Sequence, residues 1–474
     1  MTGGGPHAGG WTRRDLLCTA AGAPLVLASL GARARPETAV AASPRSSVRI
    51  RRTDSTFERE PLLRPFGFKG GYMTEIWQAA VRMEADSGGA RVGIGTQNVL
   101  WSDAAVFAER SEAAGNAVMY AVTEHALALA RESGPFSSPL DLQSAILDPA
   151  HAYARAVTGR TDLRKTFTLN ALVPVDNAAW LLHADANGIT GFDTLVPAEF
   201  RPALASRHPL VAAIPLMAYG VPVSEIRDAA AQGFFFMKIK IGQPGTQQEM
   251  LEKDKARLSE IHAAIGGMET PHTRDGRLPY YFDANGRYES KDALRRLLDH
   301  ARRIGAFDRI AIVEEPFPEA MEARVDDLGV RVAADESAHT DADAARRIDL
   351  GYGAIALKPI AKTLSMTLRI ARLAHQRGVP CFCADLTVNP ILVDWNKVVA
   401  ARLAPLPGFS LGLVETNGHQ NYRNWDAMRR YHPCFGAAWT LPERGVFRAD
   451  RDFYARSGGI FEASPHYEAL FRHG

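Results

Sequence analysis

Cysteine is scarce in this chain, four among 474 residues, and one of the four, Cys18, lies in an N-terminal stretch that reads as removable. The remaining three, Cys381, Cys383 and Cys434, are too few for a disulfide scaffold. Cys381 and Cys383 lie two apart on a predicted strand, on one face and badly placed to bridge, and read as packed thiols. Long apolar runs are missing too. None reaches the roughly 18 residues that span a bilayer, so the mature form is expected to carry no membrane segment. Neither sign of charge prevails, with 55 Lys and Arg against 53 Asp and Glu. No basic stripe with interleaved aromatics occurs either, which argues against a nucleic-acid partner. The 46% hydrophobic content is that of a soluble globule, long enough for one large domain and a further one.

Residues 1–45 read as an export segment. Thr12-Arg13-Arg14-Asp15-Leu16-Leu17 precedes a modest apolar stretch, Ala20 to Leu30, and a small-residue exit at Ala39-Val40-Ala41-Ala42. Paired arginines ahead of a weakly apolar segment have the form of a twin-arginine signal, giving a periplasmic or secreted protein. Residues 46–140 read as an α+β capping domain. Val48–Thr53, Met73–Glu84 and Ala90–Gly95 are predicted strands with a hairpin at Gly88-Gly89, followed by a helical stretch over 103–131. Residues 141–208, with a helix-like Asn177–Ala186, are expected to be an insertion or inter-domain element. Residues 425–474 show no clear period and are expected to pack back on the capping domain.

Between them, residues 209–424 repeat one pattern. Apolar runs Phe234–Met237, Tyr280–Phe282, Ile310–Val313, Val330–Ala334 and Ala354–Leu357 each end in charge: Lys238-Ile-Lys240, Asp283-Ala-Asn285, Glu314-Glu315-Pro316, Asp335-Glu336-Ser337 and Lys358-Pro359. Amphipathic helices separate them. Thr246 and Glu249 form a capping box ahead of Leu251, Leu258, Ile261 and Ile265 at helical spacing. A second stripe, Leu294, Leu297, Leu298, Ala301 and Ile304, stops at Gly305. With further runs at Ala212–Ala218, Pro380–Cys383 and Phe409–Val414 the strands number eight, which predicts an α/β fold of the (β/α)8 TIM-barrel type. The charged residues then share the C-terminal rim, where such barrels carry their active sites.

Those residue types suit proton abstraction from carbon. Taking a proton from the carbon beside a carboxylate places a second negative charge on oxygens that already carry one, and a divalent cation offsets it. Asp283, Glu314 and Asp335 come from three adjacent strands. Left unneutralised, each close pair would repel by about 4 kcal/mol at an effective dielectric near 20. Oxygen-only ligands favour Mg²⁺, with Mn²⁺ able to substitute. Lys238 and Lys240 point to the same side of their strand, so one cation lowers the pKa of the other. Lys358 faces them across the barrel mouth, and two bases can then address opposite faces of one carbon.

The ordered set KxK, DxN, EEP, DES and ALKP resembles the enolase superfamily, and most closely its muconate lactonizing enzyme subgroup, mandelate racemase/muconate lactonizing enzyme-like proteins. The motifs span about residues 234–360. The resemblance implies that Lys240 is the base on one face, Lys238 its electrostatic partner and Lys358 the opposite acid/base, with Asp283, Glu314 and Asp335 as metal ligands. It also implies an isomerase acting on a small-molecule carboxylate, a racemase or epimerase of a dipeptide or amino-acid derivative. A syn elimination (acid-sugar dehydratase), a cycloisomerisation, or a non-catalytic binding protein on the same barrel are the alternatives. A homo-oligomer is compatible with each. Asn285, Asp385, Asn389 and Glu415 are further substrate-contact candidates, and Phe66 and Phe68 belong to a Gly-rich segment, Phe66–Gly71, of the kind that closes over substrate in this family. The sequence departs from the pattern in three places, the first being the connector Gly266–Leu278, which lengthens the second helix-to-strand link beyond the usual. The glycine pair often found after the sixth-strand lysine is absent, and the eighth strand ends Val414-Glu415-Thr416-Asn417 without the Asp-x-Asp that dipeptide epimerases use.

Overall fold

Antiparallel pairing builds the first layer. In the computed structural model, which describes residues 46–68 and 71–472, strand β1 (Ile50–Phe68) pairs with β2 (Gly71–Ala85) and β2 with β3 (Ala90–Gln97). The expected export segment, with Arg13 and Arg14, lies outside the described residues, as do Lys69 and Gly70. The β2–β3 turn sits at the predicted glycines, with Gly88 at φ +93°, a backbone region that glycine adopts without strain. Helix Lys165–Ala186 lies directly on β3. A Cβ at Gly93 would stand 2.0 Å from the Pro174 carbonyl oxygen, and one at Gly95 2.5 Å from Pro174 Cδ, so both glycines are needed for this contact. Helix Glu112–Glu132 packs beside it.

The expected boundary at residue 140 falls inside helix Pro139–Thr158. Residues 141–208 thus continue the helical layer of the cap, and they also fasten it to the barrel. Asp176 accepts from the Ser365 N–H at 3.1 Å and from the Ser365 hydroxyl, while Trp180 Nε1 donates to Ser365 Oγ at 3.0 Å. Buried Arg402 donates to Asp193 and stacks between Phe192 and Tyr454.

The second layer is a ring of parallel strands, β4 (Leu210–Ile214), β5 (Leu216–Met217), β6 (Met237–Lys240), β7 (Tyr280–Asp283), β8 (Ile310–Glu314), β9 (Val332–Ala334), β10 (Ala354–Leu357), β11 (Cys381–Cys383) and β12 (Gly412–Glu415). β4 and β5 are one run interrupted at Pro215. β4 pairs with β12 and β5 with β6, so the sheet closes on itself through that run and the strand positions number eight. Proline can donate nothing to either ladder, but its carbonyl accepts from Lys238 N–H at 3.0 Å. An added strand, β13 (Val446–Arg448), pairs antiparallel with β4. The residues after 425 therefore serve the barrel as well as the cap, which His466 reaches through Glu58 at 2.8 Å.

Helices follow most strands as the periodicity predicts. The capping box at Thr246 and Glu249 is formed, and Leu251, Leu258, Ile261 and Ile265 are buried. Between β8 and β9 the repeat lapses, and Glu315–Arg331 carries no helix. Pro316 and Pro318 account for this, since both lack the N–H that a helix interior needs. The three cysteines among the described residues, Cys381, Cys383 and Cys434, are free and buried, in keeping with packed thiols.

One fastening group titrates. Burial raises the Asp176 carboxyl from 3.8 to about 6, against the hydrogen bonds from Ser365. A carboxyl with a raised folded pKa holds its proton in the folded chain while the unfolded chain has already lost it. Stability from this group is therefore fully present below about pH 4 and is lost as pH rises through about 6, by at most about 3 kcal/mol. Asp176→Asn should remove that slope. Denaturant midpoints of both proteins at about pH 4 and about pH 7 check it, and parallel slopes would refute it.

Candidate active site

In-register ladders bring the charged strand ends into one row. Lys240 pairs with Asp283 and Asp283 with Glu314 across β6, β7 and β8. Lys238 projects to the same side as Lys240, one pleat repeat below. Its Nζ lies 2.8 Å from Glu314 Oε1, 3.0 Å from Asp283 Oδ2 and 3.2 Å from Glu415 Oε2. Lys240 Nζ is 2.5 Å from both Asp283 Oδ2 and Asn285 Oδ1. Four strand positions round the ring, past β10, Lys358 Nζ is 2.6 Å from Asp335 Oδ2. All three lysines are buried.

Electrostatics at this rim are those of an acidic excess. Burial would lower the pKa of Lys238, but Asp283, Glu314 and Glu415 lift it well above the usual lysine value, so it stays a fixed cation beside Lys240. Burial also opposes ionisation of Asp283, yet Lys238 and Lys240 bring it down to about 2. Asp335 is held well below the carboxylate range by Lys358, Lys362 and Lys238. Glu314 goes the other way. Burial together with Asp283 and Asp335 pushes it well above its ordinary value in spite of Lys238, and Tyr281 donates its hydroxyl to it. Burial and Glu415 raise Asp385 to about 7, and burial and Glu336 raise Glu315 to about 7. The buried lysines thus leave negative charge uncompensated, a setting that a cation stabilises.

Oxygens of Glu314, Asp335 and Glu336 lie within 4.8 Å of one another, and all three residues are buried. This donor set fits a hard divalent cation, Mg²⁺ or Mn²⁺. Asp283, the third ligand expected from the sequence, adjoins Glu314 in the ladder, but its Oδ2 is engaged by the two lysines. Glu336 was not among the expected ligands, although it stands in the same Asp335-Glu336-Ser337 motif. Glu315 braces that motif by accepting from the N–H groups of Asp335 and Ser337 and from the Ser337 hydroxyl. Asn285, Glu315 and Thr387, at three strand ends around the site, have φ of 46°, 39° and 61°. Left-handed backbone at non-glycine residues is uncommon and gathers at functional sites.

A cavity of ≈ 390 Å³ opens over this row, lined by Lys238, Lys240, Asp283, Asn285, Asp335 and Lys358 among others. Phe66, Asp385 and Glu415 line it as well. Phe68 ends β1. Asn389 is absent from the lining. Its Oδ1 caps helix Pro390–Ala400 and its Nδ2 donates to Gln78 of the cap at 2.9 Å, so it ties the two layers together. The capping layer contributes Met73, Asn98 and Trp101, none of which sequence periodicity singled out. The Trp101 ring covers Lys358 Nζ at 4.3 Å. It sits in a helix of four residues, Val99–Ser102, too short to show a period, and the Asn98 cap was its only sequence signal. Lys362, also missed, donates to the Asp335 and Ala338 carbonyls at 2.6 and 3.0 Å, fixing the loop after β9.

Residues 223–406 match the family model Enolase C-terminal domain-like. No curated protein is significantly similar in sequence. Among solved structures, a mandelate racemase/muconate lactonizing protein from Herpetosiphon aurantiacus is 15% identical with a TM-score of 0.57, over 86% of this chain and 96% of that one. The L-Ala-D/L-Glu epimerase from Bacillus subtilis is 16% identical at TM-score 0.57, covering 84% and 96%. A dipeptide epimerase from Enterococcus faecalis V583, complexed with Mg and L-Leu-L-Tyr, is 16% identical at TM-score 0.55, covering 84% and 99%. At these identities the likeness is one of fold.

Proposed function

We propose, for a chain whose residues 223–406 match the enolase C-terminal domain-like family model, that it abstracts the α-proton of a carboxylate substrate and returns it to the opposite face, as a racemase or epimerase. The observation that carries this reading is the placement of Lys240 and Lys358, buried on strands four positions apart in a ring of eight, at one cavity with acids between them. Neutral Lys240 Nζ takes the proton, and the C–H electron pair moves into the substrate carboxylate. Protonated Lys358 then delivers its proton from the other side, and the roles reverse for the opposite enantiomer. Lys238 stays charged throughout. It holds Glu314 and Glu415 in place. Trp101 seats the Lys358 ammonium.

A divalent cation, held by Glu314 and Asp335 with Asp283 or Glu336, would supply the Lewis acidity that steadies the carboxylate as charge builds. Dipeptides or amino-acid derivatives are the favoured substrates, by the fold shared with epimerases that take them. Glu415 offers a carboxylate for a substrate ammonium where the Asp-x-Asp is missing. Incubation with such substrates in D₂O tests the reading. Deuterium should enter the α-carbon without loss of water. Elimination of water would put the dehydratase reading in its place, and absence of any exchange across the library would point to the binding-protein reading.

We further propose, from Arg13-Arg14 and the small-residue exit at Ala39–Ala42, that the protein is exported by the twin-arginine route. Arg13-Arg14→Lys-Lys should keep it in the cytoplasm with the N-terminal segment attached, which fractionation and intact mass would read. Unchanged export of that variant would remove the twin-arginine assignment and leave the enzyme assignment standing.

A further inference from the structure

A second cavity, of ≈ 840 Å³ counted out to its mouth, opens between helix Pro390–Ala400 and the segment after β12. Phe234, Val393, Trp425, Phe435, Leu441 and Phe447 form apolar walls. Phe435 and Leu441, 52% and 42% exposed, are two of the few large hydrophobic side chains that the described surface leaves to water. Isolated exposed hydrophobics mean little, but two at the mouth of one aromatic cavity mark a place where apolar surface is meant to be covered.

The polar groups of this cavity have one sign to spare. Asp394 is its sole carboxylate, and that charge is already used: Lys397 Nζ lies 2.5 Å from Oδ1 and His432 Nε2 2.8 Å from Oδ2. Lys397 is fully buried, with a further bond to the Trp439 carbonyl and its Nζ 4.2 Å from the Phe447 ring. Arg429, by contrast, has no close ion pair, its guanidinium lying 5.7 Å from the Phe435 ring centroid. Its nearest carboxylate is Asp426 at 3.4 Å, whose side chain is 89% exposed, a pairing of little worth in water. The His419 side chain makes no hydrogen bond among the described residues, its ring lies 6.2 Å from Trp425, and burial lowers its pKa to about 4, so near neutral pH it offers an anion a neutral N–H donor and no charge. A guanidinium and an imidazole thus remain to meet an anion, between aromatic walls.

We propose that this cavity is a binding site, separate from the strand-end site, for a small amphipathic anion: a carboxylate on an aromatic body. The ring would stack among Trp425, Phe435 and Phe447, and the carboxylate would take the Arg429 guanidinium as a two-point partner. The only element the two sites share is the end of β12, where Thr416 lines this cavity while Glu415 and Asn417 line the other.

Calorimetric titration of the full-length protein with phenylacetate, phenylacetamide and phenethylamine tests it. Phenylacetate should bind saturably at one site, about tenfold or more tighter than the amide, and the amine should not bind. Arg429→Ala should erase the preference for the carboxylate, and Leu441→Glu, at the exposed rim, should weaken phenylacetate about tenfold or more by placing a like charge at the mouth. Asp335→Asn, in the strand-end site, should leave phenylacetate affinity unchanged. Equal binding of the three probes, no saturable binding of phenylacetate, or affinity lost with Asp335→Asn but kept in Arg429→Ala would each overturn the proposal.

Discussion

On the proposed racemase reading, Lys240→Ala is expected to lower racemisation of a carboxylate substrate by about 10²–10⁴-fold or more, and Lys358→Ala to do the same, the range that a positioned acid or base contributes. Neither variant loses all proton chemistry. With one base gone the other still takes and returns a proton on its own face, so deuterium from solvent continues to enter one enantiomer. Lys240→Ala labels one antipode and Lys358→Ala the other. Chiral separation followed by mass spectrometry after incubation in D₂O reads both. The stereochemical split separates a base from a merely structural lysine, because a misfolded site would exchange neither. If Lys358→Ala exchanged neither enantiomer while Lys358→Arg kept turnover, Lys358 would act as a charge stabiliser, and elimination or cycloisomerisation would become the better reading.

The second large effect concerns the acids. Exhaustive chelation is expected to remove turnover and added Mg²⁺ to restore it, since a Lewis acid would be worth several kcal/mol, roughly 10²–10⁴-fold in rate. Asp335→Asn and Glu314→Gln weaken Mg²⁺ binding strongly, which calorimetric titration measures without any substrate. The same titration decides between the two candidates for the third ligand. Asp283 adjoins Glu314 in the ladder, whereas Glu336 accepts from Asn285 Nδ2 at 3.0 Å. On the ligand set expected from the sequence, Asp283→Asn should cost more Mg²⁺ affinity than Glu336→Gln. The reverse order would move the cation onto the Glu314, Asp335 and Glu336 group, and full activity after chelation would end the metal reading altogether.

The barrel was legible because its signals are local. Short apolar runs ending in charge, a capping box at Thr246 and a glycine stop at Gly305 each act within a few residues. Lys238, Lys240, Asp283, Asp335 and Lys358 could be placed at one rim from strand ends alone, and all line the cavity. What stayed hidden depends on contacts distant in sequence. Trp101 reaches Lys358 from another layer, and Asn389 proves to be a helix cap tied to Gln78. Gly93 and Gly95 read as weak strand residues until Pro174 is seen lying on them. The missing helix after β8 shows the opposite failing. Pro316 and Pro318 were in plain view, but the repeat around them made a helix the natural expectation.

The interruption at Pro215 also bears on time. β5 can join β6 as soon as a short stretch of chain has formed, but β4 must wait for its partners, since Val211 pairs with Gly412 and Phe447, near the far end of the polypeptide. Contacts so remote in sequence are made late and slowly. Every residue of the reaction site between Lys238 and Lys358 is therefore synthesised before the ring that positions it can shut. A chain cut before β12 would carry both candidate bases and the candidate metal ligands and have no closed barrel to hold them in.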